Sequence, residues 1–126
     1  MHAVIETPSF LADCRNAGLV GDAISGIVVT ISSDPMIGDI IPGTGGARKL
    51  RIRGRGKGKS GGYRTISYFA GEDVPVLLLA LVNKGERADL SQAERNELRK
   101  ELAGYARDYR ASVRKRAAVL RKGTRR

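Results

Sequence analysis

The stretch from Arg48 to Arg64 constrains this chain more than any other. Leu50 and Ile52 alternate with Lys49, Arg51 and Arg53, the period-two pattern of a strand with one apolar face. Tyr63–Phe69 reads as a second strand. The nine residues between them, Gly54–Gly62, hold five glycines, too many to sustain a helix or a strand ladder. Strand, glycine-rich loop and strand therefore predict an antiparallel pair. Arg48, Lys49, Arg51, Arg53, Arg55, Lys57, Lys59 and Arg64 make eight basic residues between Ala47 and Thr65, with no acid among them. Cations packed this densely on a structured surface have a polyanion as their natural counterpart.

The rest of the chain sharpens that charge. Its 126 residues make one domain of ordinary size, and the formal charge is +10 at neutral pH. Residues 1–45 set Arg15 alone against Glu6, Asp13, Asp22, Asp34 and Asp39, whereas residues 105–126 set nine Lys and Arg against Asp108. The molecule is electrically polarised, which favours a nucleic-acid or ribosomal partner, although an acidic protein satisfies the same field. Cys14 is the single cysteine, so neither an internal disulfide nor a zinc site of cysteines is predicted, and its helical surroundings make it a core residue. His2 is the single histidine and follows the first Met. No metal, no cofactor and no membrane partner is expected. No apolar run approaches the ~20 residues of a membrane span, and no secretory signal is apparent, so a soluble, cytoplasmic protein is expected.

Ala3–Thr7 has the β-branched content of a short strand. Thr7 and Pro8 suit the start of a helix that runs through Phe10, Leu11 and Cys14 and stops at Gly18. Ile24, Ile27, Val28 and Ile31 form one face of a second helix over 20–32. Ser33–Gly46 reads as a long ordered loop anchored by Ile37, Ile40 and Ile41. After the two central strands, Val76–Val82 is nearly all apolar, as a strand covered on both faces must be. Ser91 and Glu94 form a capping box that opens a helix containing Leu98 and Leu102, with Gly104 marking an interruption. The fold class is α+β: a compact β-α-α-β-β-β-α domain, with a small, mostly antiparallel sheet, two N-terminal helices packed on it and a C-terminal helix. Residues 1–103 are read as the domain and 104–126 as a basic helical extension or tail.

Conventional catalytic sets are missing from the sequence, since no Cys/His dyad is available and the acids are scattered. Gly54-Arg-Gly-Lys-Gly-Lys-Ser60 ends like a phosphate-binding loop, but that mechanism needs a helix beginning at the Ser. Gly61, Gly62 and a strand follow instead. Cations can nevertheless support one reaction unaided. RNA cleavage by the substrate's own 2′-hydroxyl requires in-line orientation, proton removal, charge neutralisation at the phosphorane and protonation of the leaving 5′ oxygen. A Lys beside other cations has a lowered pKa and can act as a base, and guanidinium forks fit the non-bridging oxygens.

In Val4-Ile-Glu-Thr-Pro-x-Phe10, Gly38-Asp-x-Ile-Pro-Gly-Thr-Gly-Gly46, Arg48-Lys-Leu-Arg51, Gly54-Arg-Gly-Lys-x-Lys-Ser-Gly-Gly-Tyr-Arg64 and Lys84-Gly-Glu-Arg-Ala-Asp-Leu-Ser91 the chain resembles the RelE/ParE superfamily of toxin–antitoxin toxins. The likeness is to its RelE/HigB-like, ribosome-dependent mRNA endonucleases and spans roughly residues 3–103. The resemblance implies a toxin that inhibits translation and is neutralised by a cognate antitoxin of helix-turn-helix type, with ribosome and mRNA as further partners. It also implies catalytic roles for Arg64, Lys84 and Arg87, and RNA contacts for Lys49, Arg51, Arg53, Arg55, Lys57 and Lys59. The chain departs from many members at Gly85, where they carry a second basic residue, and at Ser91, near which they carry a Tyr.

Plainer readings stand beside these. Lys49 and Arg51 also suit a solvated cationic strand face, and Arg64 an ion pair with Glu86. Lys84 and Arg87 read equally as turn residues paired with Glu86 or Asp89, and Tyr63 and Tyr68 as sheet packing. The alternatives for the whole molecule are a non-catalytic, ParE-like inhibitor of DNA gyrase and a basic RNA-binding module. Two Phe and four Tyr give the last few stacking platforms. Residues 105–126 suit either a ribosomal-RNA contact or an extension that orders with the antitoxin.

Overall fold

Tyr63–Tyr68 (β4) is the middle strand of a five-stranded sheet, in a computed structural model that describes residues 1–53, 62–83 and 89–124. Arg48–Ile52 (β3) and Val76–Asn83 (β5) flank it, both antiparallel to it. Val4–Glu6 (β1) adds to β5 in parallel, and Asp39–Ile40 (β2) adds to β3, so the order is β1-β5-β4-β3-β2. The predicted antiparallel meander is β3-β4-β5. The loop expected over Ser33–Gly46 is corrected at one point: it contains β2, which pairs Asp39 with Lys49 and Ile40 with Arg48. Gly38 makes that close approach feasible, because its φ is +97° and a Cβ there would lie 2.4 Å from the Lys49 carbonyl oxygen.

Pro8–Asn16 (α1) and Asp22–Ser33 (α2) lie on one sheet face. The Thr7 hydroxyl accepts from the Phe10 amide as an N-cap and donates to the Leu78 carbonyl, so the same side chain starts α1 and ties it to β5. Phe10, Cys14, Ile27 and Ile31 bury against Tyr63, Val76, Leu78 and Leu81, with Leu50 and Ile52 packed alongside. This is the face predicted for α2, and its β-branched run forms helix, not strand, because that spacing meets the sheet. His2 accepts its place beside the sheet through hydrogen bonds of its amide to Ser32 and of its ring Nε2 to the Val74 carbonyl, 2.7 Å away.

The opposite face is covered by Gln92–Leu102 (α3). Leu90, Leu98 and Leu102 pack there on Ile66, Leu77, Leu79, Ala80 and Val82. Alternation along β5 thus feeds two cores, as its unbroken apolar run predicts. Ser91 and Glu94 form the expected capping box at the start of α3. The helix does not continue as one piece: Ala103 leaves helical geometry, Gly104 has φ +85°, and Tyr105–Thr124 (α4) begins anew. Tyr105 donates to the Pro75 carbonyl, and Arg110 grips Asp73 with two hydrogen bonds of 2.6 and 2.7 Å, which hold the first turns of α4 against the β4–β5 connection.

Phe10 is fully buried at the junction of α1, α2 and the sheet. Phe10→Ala is expected to cost about 3–5 kcal/mol. The check is chemical denaturation, in which the midpoint falls while the slope is preserved.

Candidate nucleic-acid interface

Cross-strand register decides which cations share a surface. Arg51 of β3 stands directly opposite Arg64 of β4, and Lys49 opposite Ile66. Directly paired residues lie on one face of a sheet, as do residues two apart along a strand. Lys49, Arg51 and Arg64 therefore emerge together on the α3 side, while Leu50 and Ile52 enter the α1/α2 core. Arg64 in turn faces Val82 of β5, so the cationic pair borders the apolar patch of Ile66 and Val82. Arg51 is exposed and Arg64 half-buried. Two arginines directly opposite concentrate positive charge on this face, where guanidinium forks suit phosphate oxygens.

The three strand ends at this side of the sheet meet in register: Ile52 opposes Tyr63, and Tyr63 opposes Asn83. Arg53, exposed, follows β3 there. Arg55, Lys57 and Lys59, and likewise Lys84 and Arg87, lie outside the described residues. Tyr63 and Tyr68 point to opposite cores, as the sheet-packing reading requires. Arg48 belongs to the structural frame, since its guanidinium donates to the carbonyls of Met36 and Gly38 at 3.0 and 3.2 Å.

Sequence reasoning missed Arg95 and the partners of Asp89. Asp89 Oδ2 lies 3.5 Å from Lys49 Nζ and 3.4 Å from Arg95, which also donates to the Pro42 carbonyl. One carboxylate thereby joins β3, the start of α3 and the loop 41–46. The Leu90 amide, then Lys49 and Arg95, hold the Asp89 carboxyl below its usual range against the opposing effect of burial. The available signal was the basic Arg95 one turn after Ser91, where a helix sits close to the strand pattern's cations. Among the described residues no three His, Cys, Asp or Glu side chains come together as metal ligands, and no helix is long and apolar enough to cross a membrane.

Asp89 has two measurable consequences. A depressed carboxylate pKa stabilises the fold above the unfolded value near ~4 and ceases to do so as pH falls through the folded value. With about a third of the Asp89 side chain exposed, screening limits that contribution to at most about 1 kcal/mol. The stability gap between wild type and Asp89→Asn is expected to be full at neutral pH and to close below about pH 4 in denaturation curves. Asp89→Asn also releases Lys49, so the slope of log affinity for single-stranded RNA against log salt should steepen by about 0.7. An unchanged slope would show that Lys49 takes no part in binding.

A sequence model of the family described as "RelE toxin of RelE / RelB toxin-antitoxin system" matches residues 36–123. The matched range includes α4, which the motif resemblance over 3–103 does not reach. Among solved structures, the chain is similar to a double arginine-to-alanine mutant of E. coli toxin RelE in the free state, with 17% identity, 65% of this chain and 82% of that one covered, and a TM-score of 0.47. With the family model matched over more than half of the chain, including the paired strands that carry Arg51 and Arg64, this chain belongs to the RelE toxin family of toxin–antitoxin systems.

Proposed function

We propose that this toxin is an endoribonuclease that cuts mRNA during translation on the ribosome, in the cytoplasm, and that a cognate antitoxin neutralises it. The observation that carries this reading is the Arg51–Arg64 pair, two arginines directly opposite each other on one sheet face in a member of this family. A planar fork on each can hold non-bridging phosphate oxygens in two-point geometry. Lys49, Arg51 and Arg53 would grip the RNA backbone along β3. Arg55, Lys57 and Lys59 belong to the segment joining β3 to β4, and Lys84 and Arg87 to the one leaving β5, so both segments depart from the strand ends beside Arg64.

In the proposed reaction the substrate's 2′-oxygen attacks the adjacent phosphorus and the bond from phosphorus to the 5′ oxygen breaks. The 2′-hydroxyl proton passes to a base and the leaving 5′ oxygen takes up a proton. The products are a 2′,3′-cyclic phosphate and a 5′-hydroxyl. Arg64, with Lys84 and Arg87, would neutralise the extra negative charge of the phosphorane, an interaction stronger in the transition state than in the bound substrate. The ribosome would present the message and hold its backbone in line, so the toxin need supply little sequence readout of its own.

Induction of the wild type is expected to arrest growth and create new 5′ ends inside translated messages. Arg64→Ala should lower the cleavage rate about 10²–10³-fold, by analogy with loss of one oxyanion donor, and Arg64→Ala with Lys84→Ala should abolish it. Mapping 5′ ends in translating cells reads the outcome. Full toxicity in the double variant would overturn the site, and growth arrest with damaged DNA but no new mRNA ends would overturn the activity.

A further inference from the structure

The outer half of α4 and a groove beside α3 carry opposite charge and matching apolar surfaces. α4 has 20 residues and so runs about 30 Å. Its base is tied down through Tyr105 and Arg110, but from Ala111 to Lys122 every residue except the half-buried Ala117 is exposed. Val113 and Leu120 are 47% and 70% exposed and share a stripe with Ala117, at helical spacings of four and three residues. Arg114 and Arg116 flank that stripe, and no acid follows Asp108. A helical segment of this length is marginal in water without a surface to pack on.

The groove runs between α1 and α3 over β5. Its floor includes the part-buried Leu79, Ala80 and Leu98, and its walls carry Asp13, Glu94, Glu97 and Glu101. No cation lines it. Two of the four acids have internal work: Asp13 accepts from the Leu81 amide and Glu94 from the Ser91 amide. Glu97 and Glu101, one helical turn apart and exposed, are left to face an incoming partner. In a chain of charge +10, an acid-walled apolar groove calls for a basic amphipathic helix, and none of the α4 residues lines the groove of its own molecule.

We infer that this groove receives residues 111–122 of α4 from a second copy of the chain, in a reciprocal dimer. Each copy carries both surfaces, so a two-fold arrangement fills two grooves at once and doubles the apolar area buried. Glu97 and Glu101 meet Arg114 and Arg116, and Val113, Ala117 and Leu120 cover the floor. Ile66 lines the groove and borders the Arg51–Arg64 pair, but neither arginine lines it, and the inference does not rest on the cleavage chemistry.

Light scattering on the full chain, nuclease-treated so that RNA cannot bridge copies, tests it at micromolar concentration. The expected mass is twice the 13.6 kDa of one chain. Glu97→Lys with Glu101→Lys should give the single-chain mass with an unchanged circular dichroism spectrum, and adding Arg114→Glu with Arg116→Glu should restore the dimer. Should the acidic pair's replacement unfold the protein, Val113→Asp with Leu120→Asp decides, since both side chains lie outside the core and the expected product is a folded monomer. A single-chain mass for the wild type, a dimer that persists in either double variant, or a charge swap that fails to restore it would overturn the inference.

Discussion

The register of β3 against β4 is the constraint on which the rest of this molecule depends. Side chains alternate between faces, so a slip of β3 by one residue would turn Lys49 and Arg51 into the α1/α2 core and Leu50 and Ile52 out of it. Both alternatives are costly, which fixes the pairing from two sides. Leu50, Ile52 and Tyr63 are claimed by the core under α1 and α2, and Ile66 by the core under α3. What remains on the α3 side of β3 and the start of β4 is cationic: Lys49, Arg51 and Arg64. The basic face is thus a by-product of packing geometry as much as of composition, and it is rigid because the strands that bear it are core strands.

Asp89 links that face to the helical layer. Its contacts with Lys49 and Arg95 bring a β3 cation, the approach to α3 and the Pro42 loop together around one carboxylate. This is a modest interaction energetically, since the side chains are partly exposed. Its value is positional. It keeps Lys49 oriented before any ligand arrives, and it sets an internal competitor for the very charge that RNA would use.

Local signals explain why so much of this fold is legible in the residues themselves. Thr7-Pro8 and Ser91 with Glu94 announce helix starts through side-chain capping, and the period-two pattern of Lys49–Arg53 and the unbroken apolar run of β5 distinguish one-faced from two-faced strands. β2 is invisible to such reasoning, because two exposed residues carry no periodicity and are held by the approach at Gly38. The parallel docking of β1 on β5 is likewise a long-range choice, paired across some seventy residues. At the candidate site, the alternation of basic and apolar residues is enough to put Lys49 and Arg51 on one face. The Arg51–Arg64 pairing needs the register, and the Lys49–Asp89 contact needs the tertiary path that brings the start of α3 to β3.

The central claim is that the Arg51–Arg64 face holds a phosphodiester for attack by its own 2′-hydroxyl. The most direct measurement uses a stalled translation complex whose message carries a single 2′-deoxy nucleotide at the cleavage position, compared with the all-ribose message. The account predicts that the ribose message is cut to a 2′,3′-cyclic phosphate, identifiable by mass, and that the deoxy message stays intact at that bond. Cleavage of the deoxy message at the same position, or a product with a 5′-phosphate, would contradict it.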